Sequence, residues 1–272
     1  MKKLLGIILT VSLLASFAAS ALADRLEDIK AKGKLVVGSS VSFAPFEFYY
    51  PDENGNEYAA GFEMDLARQI AADLGVELEI ADQQFAGLVT ALMAGEMDMV
   101  IAGMTATDER RAAVDFSETY YVGEQPIVVR EADLGKYKTY EEIKGKLIGA
   151  QTGSIQQTIL EEQFPDCEQL LLPQIPTLLM ELVNGNIEGV ICSKIAATSY
   201  MNIYPGLAFS EIPVQSNKNG VGVAVAKGDE SAALLGAINE TIERVKADGT
   251  YDAWVEKACA QQAELLKQTD AQ

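Results

Sequence analysis

Two stretches of this chain read alike. ALMAGEMDMVIAG (91–103) lines up without a gap with ELVNGNIEGVICS (181–193). Each ends a helical pattern at a glycine, places an acid after it (Asp98, Glu188), runs into an apolar strand and finishes on a small residue, Gly103 in one and Ser193 in the other. Unless the likeness is chance, the chain is bound to fold into two α/β units of similar architecture. Ligands of open α/β sheets collect outside the carboxyl ends of the strands. Two such units facing each other make a cleft, with Gly103 and Ser193 as equivalent strand ends. Asp98 and Glu188 then fall at strand starts, away from the cleft, and read as structural residues rather than an acid–base pair.

The rest of the chain alternates in the same way. Lys34 to Gly38 and Val76 to Ile80 read as strands. Between them Phe62, Leu66, Ile70 and Leu74 recur every four residues, the spacing of one helix face, and Gly75 is a natural stop. Asp52 to Asn56 is a turn, the tip of a hairpin. Further on, Lys146 to Ala150, Ile187 to Cys192 and Gly220 to Ala226 read as strands. Ile155 to Phe164, Thr177 to Val183 and Ser231 to Ala247 read as helices, and a last helix holds Trp254. Strands alternating with helices predict an α/β fold with largely parallel pairing.

One segment carries chemistry. After the first strand end, GMTATDERR (103–111) supplies small and hydroxyl residues, a helix cap at Thr107 and an arginine in the first turn. A strand tip, exposed backbone N–H groups and a guanidinium suit an anion, which the guanidinium can grip through two parallel hydrogen bonds. The alternative is that Arg110 and Arg111 are solvated surface charges.

Composition removes several functions. With 40 acids against 21 basic residues the formal charge is −19, a poor surface for nucleic acid. There is no histidine, which disfavours nitrogen-ligated zinc and Ser-His or Cys-His catalysis. No cofactor or metal is implied. Cys167, Cys192 and Cys259 are too scattered for a metal cluster, and their pairing is not readable. Residues 1–23 read as a secretory leader: Lys2-Lys3, an apolar run from Leu4 to Phe17, then Ala21-Leu22-Ala23 as a cleavage site. Its removal takes two lysines and no acid and leaves a formal charge of about −21 on a chain destined for the periplasm.

The chain also resembles a known family, the extracellular solute-binding proteins of family 3, which feed polar amino acids to ABC importers. GFEMDLARQIAADL (61–74) carries the most specific part of the likeness. APFEF (44–48), GMTATDERR (103–111), VDFSETYY (114–121) and DGTYDAW (248–254) support it in order and spacing. The resemblance implies a type II periplasmic-binding-protein fold, two α/β lobes joined by a two-segment hinge. Lobe 1 is residues 24–121 and 220–272, lobe 2 residues 122–219, with crossovers near Tyr121 to Glu124 and Asn217 to Gly220. It implies a small carboxylate ligand, a membrane permease as partner and a monomer that closes around its ligand. By the same resemblance the ligand carboxylate falls to Arg110 with Thr105, and to lobe 2 N–H groups at Gly153, Ser154 and Ile155. Gly103 supplies a carbonyl, and Phe43 and Phe85 are aromatic walls.

One position departs from the pattern. Where the family places an aspartate for the ligand's α-ammonium, this chain has Ser193, followed by Lys194. A hydroxyl can accept from an ammonium but cannot neutralise it. Either another acid, for which Glu47 is the candidate, supplies the charge, or the ligand lacks a free amine. Ser40, where binders of basic ligands carry an acid, argues against lysine, arginine or histidine as ligand. The resemblance extends to cyclohexadienyl dehydratases on the same scaffold. Such an enzyme would need a cleft carboxylate with a raised pKa.

Overall fold

The structure is a computed structural model and describes residues 24–215 and 219–269. The leader (1–23) and Asn217 of the expected second crossover lie outside the described residues. In chain order the elements are α1 (Arg25–Lys32), β1 (Lys34–Ser39), β2 (Phe48–Pro51), β3 (Glu57–Ala60), α2 (Phe62–Leu74), β4 (Glu77–Asp82), α3 (Leu88–Met93), β5 (Met99–Val100), α4 (Asp108–Ala113), β6 (Val114–Phe116), β7 (Ile127–Arg130), α5 (Tyr140–Ile143), β8 (Leu147–Gln151), α6 (Ile155–Gln163), β9 (Glu168–Leu172), α7 (Ile175–Val183), β10 (Gly189–Ile191), α8 (Lys194–Met201), β11 (Leu207–Phe209), β12 (Ala224–Ala226), α9 (Ala232–Ala247) and α10 (Thr250–Thr269).

Two five-stranded sheets form, ordered β4-β1-β5-β12-β6 and β11-β7-β10-β8-β9. Pairing is mixed. β1 runs parallel to β4 and β5, and β8 parallel to β9 and β10, while β12, β6, β7 and β11 join by antiparallel ladders. The antiparallel strands are those that enter beside the crossovers, where the chain leaves one sheet for the other and returns without a helix to reverse it. Several strands are shorter than their apolar runs: β5 is Met99–Val100, because the residues after it bend away to form the cleft.

The helix predicted from the four-residue spacing is α2. Phe62, Met64, Leu66 and Ile70 are buried, and Gly75, at φ 72°, closes it with its N–H on the Ala71 and Ala72 carbonyls. Each of those side chains contributes about 1.5–3 kcal/mol by leaving water. The same face buries Glu63, a charged residue that the apolar pattern gives no reason to place there. The largest apolar cluster crosses between the sheets, from Phe62, Ile70 and Met99 to Ile175, Leu178 and Tyr200.

The crossovers are zipped together. Val221 N–H donates to the Tyr121 carbonyl (2.8 Å) and Tyr120 N–H to the Val221 carbonyl (3.1 Å). Lys194, beside the ligand-facing positions in sequence, turns outward and pairs with Glu124 on the first crossover at 2.7 Å.

Candidate functional site

Both sheets present their carboxyl ends to a cleft between them. Its inner cavity holds about 410 Å³ of empty space, part of it open to solvent, and is lined by Phe43, Gly103, Thr105, Tyr121, Ile155, Gln156 and Ser193 among others. An outer groove, open to solvent, continues past Arg110 between Ala86, Val89 and α6.

Arg110 leaves α4 one turn after Thr107, whose hydroxyl accepts the Arg110 N–H at 3.2 Å and so caps the helix. Its guanidinium donates to the Thr105 carbonyl (2.8 Å) and, across the cleft, to the Gly153 carbonyl (2.9 Å). Burial lowers its pKa to about 10, which still leaves it cationic at neutral pH. Arg111 goes the other way, onto the Ala106 carbonyl and over the Phe116 ring. Of the two arginines, only Arg110 enters the cleft.

Around that cation the backbone supplies donors from both lobes. Thr105 N–H and hydroxyl have no partner among the described residues, although the Thr105 carbonyl is taken by Arg110 and by Thr107 N–H. In lobe 2 the expected loop is only half available. Gly153 N–H is taken by the Gln157 side chain at 2.7 Å, and Ser154 N–H by the Gln151 carbonyl at 3.2 Å. The Ser154 hydroxyl caps α6 through Gln157 N–H. The groups left over are the N–H of Ile155 and the N–H of Gln156, in the first turn of α6, which meet no acceptor among the described residues. Gln156 is a contributor that the sequence reading missed. The signal was present, since every helix start leaves its first few N–H groups unmatched. Tyr121 is another missed lining residue, read only as a crossover.

Gly103 stands at φ 59°, a left-handed conformation that a residue with a Cβ adopts at a cost. A Cβ there would also lie 2.8 Å from the Phe43 ring. Its N–H turns inward onto both oxygens of Glu63 (2.8 and 3.0 Å), while its carbonyl accepts no hydrogen bond among the described residues. Ser193 starts α8 without capping it. Its hydroxyl, on a residue 3 % exposed, approaches the Tyr121 phenol without meeting hydrogen-bond geometry.

Three expected site residues lie elsewhere. Phe43 lines the inner cavity, stacked on Phe46 with centroids 4.6 Å apart. Phe85 does not stand opposite it: its ring lies under the Arg110 guanidinium, 5.2 Å from centroid to cation, and braces the arginine. Ser40 lines a separate cavity of about 480 Å³ with Asp82, Gln84 and Gln174, beyond the loops that carry the two rings. Glu47 is fully buried behind the cavity wall against Glu63, where burial raises its pKa well above the carboxylate range. It cannot touch a ligand.

The lobes also meet directly. Tyr200 on α8 donates its hydroxyl to the Ser42 carbonyl (3.0 Å) and accepts Ala44 N–H (3.3 Å), so it holds the Phe43 loop from the opposite lobe. A Cβ on Gly153, at φ 74°, would lie 2.9 Å from the Ala86 Cβ across the cleft.

A cation flanked by free N–H groups, with apolar and hydroxyl surroundings, is suited to hold a small carboxylate out of water. Comparison with known proteins agrees. The L-cystine-binding protein TcyJ of Escherichia coli is 30% identical over 258 residues, spanning 92% of each chain. A crystal structure of an amino-acid ABC transporter substrate-binding protein from Streptococcus pneumoniae, bound to L-arginine, superposes with a TM-score of 0.83 at 34% identity, covering 87% of this chain and 98% of that one. The ancestral amino acid-binding protein AncCDT-1, a precursor of cyclohexadienyl dehydratase, superposes with a TM-score of 0.77 at 30% identity over 85% of this chain and 98% of that one. The two sheets and paired crossovers are those of the type II periplasmic-binding-protein fold. The model of the bacterial extracellular solute-binding proteins, family 3, matches residues 35–261, and this chain belongs to that family.

Proposed function

We propose that this protein captures a small amino-acid-type carboxylate outside the cytoplasm and hands it, as a monomer, to the membrane permease of an ABC importer. Residues 24–121 with 220–272 form lobe 1 and residues 122–219 form lobe 2, and the paired crossovers act as the hinge. Export through the leader at residues 1–23 puts the protein in the periplasm. The observation that carries the reading is Arg110, held by carbonyls of both lobes beside free N–H groups of Thr105, Ile155 and Gln156. Each charge-assisted hydrogen bond to a carboxylate there is worth about 1.5–3 kcal/mol.

The reading favours binding over catalysis. A dehydratase on this scaffold needs a titratable carboxyl facing the substrate; the carboxyls of Glu47 and Glu63 sit behind the inner cavity's wall, and Glu109 and Glu162 line only the outer groove. The test is a thermal-shift screen of purified protein against amino acids, keto acids and dicarboxylates, with mass spectrometry of any co-purified solute. The expected result is one stabilising carboxylate with no turnover of it. A protein stabilised only by compounds without a carboxylate ends the reading.

A further inference from the structure

Among the described residues no charged side chain lines the inner cavity, and Arg110 borders the outer groove with Glu109 and Glu162, yet two carboxyls lie immediately behind the inner wall. Glu63 and Glu47 are both 0 % exposed. Glu63 accepts Gly103 N–H at 2.8 and 3.0 Å and the Tyr120 hydroxyl at 2.6 Å. The Glu47 carboxyl lies against the Glu63 carboxyl, and as an acceptor it finds no donor among the described residues. A proton on Glu47, donated to Glu63, is the arrangement that leaves neither group orphaned. The titratable groups facing the pair from neighbouring elements are the phenols of Tyr120, Tyr200 and Tyr251, and Asp82. No lysine or arginine among the described residues pairs with either carboxyl, and two charges side by side without a cation would repel strongly.

We infer that Glu47 and Glu63 share one proton, and that the single charge left on Glu63 is the negative pole of the binding site: it turns the Gly103 carbonyl to the cavity and supplies the charge that Ser193 lacks for a ligand's ammonium group. The inference rests on the carboxylate-binding reading of Arg110. Gly103 N–H is the link, which puts the charge within about 9 Å of an ammonium bonded to the Gly103 carbonyl. At that range, in a partly desolvated site, the charge is worth about tenfold in affinity. Glu63 is thus a positioning residue with an electrostatic role, and it never touches the ligand. The identity of Ser193 then no longer decides whether the ligand carries an amine.

The test uses the full mature chain, with L-glutamine and L-arginine as probes, each beside its des-amino analogue. Wild type should bind at least one amino acid more tightly than its analogue. Glu63→Gln should weaken the amino acid about tenfold and leave the analogue within about twofold. Equal loss for both would make Glu63 a structural prop only, and wild-type binding of the analogue as tightly as the amino acid would remove the charge role while leaving the carboxylate reading intact. Failure of that reading is a different result, in which no small carboxylate binds at all. A ligand-free arm covers poor folding of Glu63→Gln. A carboxyl held protonated by burial contributes stability below the ordinary glutamate pKa and loses it as pH rises and the unfolded form ionises. The melting temperature of Glu47→Gln relative to wild type should therefore climb from pH of about 4 to about 8. A flat difference over that range would show that no proton is shared.

Discussion

The two lobes are built on the same frame and finished differently. In lobe 1, Asp98 accepts Val36 N–H with its carboxylate (2.9 Å) and donates its own N–H to the Val36 carbonyl (2.8 Å). In lobe 2, Glu188 does the same to Leu147, at 3.0 and 2.9 Å. Two residues further along each neighbouring strand stands a glycine, Gly38 or Gly149, with no room for a Cβ against Met97 or against Leu178 and Ile187. The helix ends before them repeat as well: Gly95 N–H bonds to Leu92, and Gly185 N–H to Leu182, at 3.0 and 3.1 Å. Around the cleft, the divergence lies in the tips. Lobe 1 brings side chains, a guanidinium and an aromatic ring, whereas lobe 2 brings mainly backbone, the first N–H groups of α6. A frame fixed by buried hydrogen bonds leaves the tips free to differ, and the ligand is read where they do.

The sharpest way to break this contrast is to remove the lobe 1 cation. Arg110→Ala should lower affinity for the screened carboxylate by roughly 100-fold or more, about 3 kcal/mol, with the far-ultraviolet spectrum unchanged. Near-native binding by calorimetry would mean the side chain is not the grip. Next in size is the lobe 2 backbone. Gly153→Ala needs a left-handed alanine and presses a methyl onto Ala86 across the cleft, so affinity should drop about tenfold to 100-fold, beside a melting-temperature loss of several degrees from the backbone strain. A pure stability loss instead would show that the glycine serves lobe 2 rather than closure.

Two smaller effects test the shared frame. Gly38→Ala and Gly149→Ala should each cost about 1–3 kcal/mol by denaturant unfolding, with affinity in the surviving folded protein unchanged. A large cost in one lobe and none in the other would break the equivalence. Asp98→Asn and Glu188→Gln should cost least, about 0.5–1.5 kcal/mol each and similar to one another, because an amide oxygen still accepts the neighbouring N–H. Any fall in ligand binding from these two would contradict their placement away from the cleft.

Much of the frame was legible before any coordinates. The echo at 91–103 and 181–193, the α2 face, the Thr107 cap and the strand-start acids rest on short-range patterns, and the structure returns each of them. The tips were legible only in part. Arg110 and Thr105 sit on one short segment, so their proximity could be read. Which N–H groups stay free in lobe 2 depends on what the Gln157 and Gln151 groups occupy, and no local pattern states that. Glu63 drew no reading of its own from the sequence, since a charge on a helix ordinarily marks solvent. Its burial is decided by Gly103 and Tyr120, which come from distant parts of the chain. Phe85 was assigned to the ligand for the same want of information, as nothing near it in sequence shows that Arg110 will cover its ring.

The place of β12 bears on the order in which the molecule can be completed. All five strands of the lobe 2 sheet lie between Ile127 and Phe209, so that sheet is an uninterrupted run of chain. The lobe 1 sheet is different, because Ala224–Ala226 wedges between β5 and β6, two strands already present by residue 116. A nascent or truncated chain that stops before this late insert would hold a finished second half and a first half split down its middle, with two raw edges waiting for a partner.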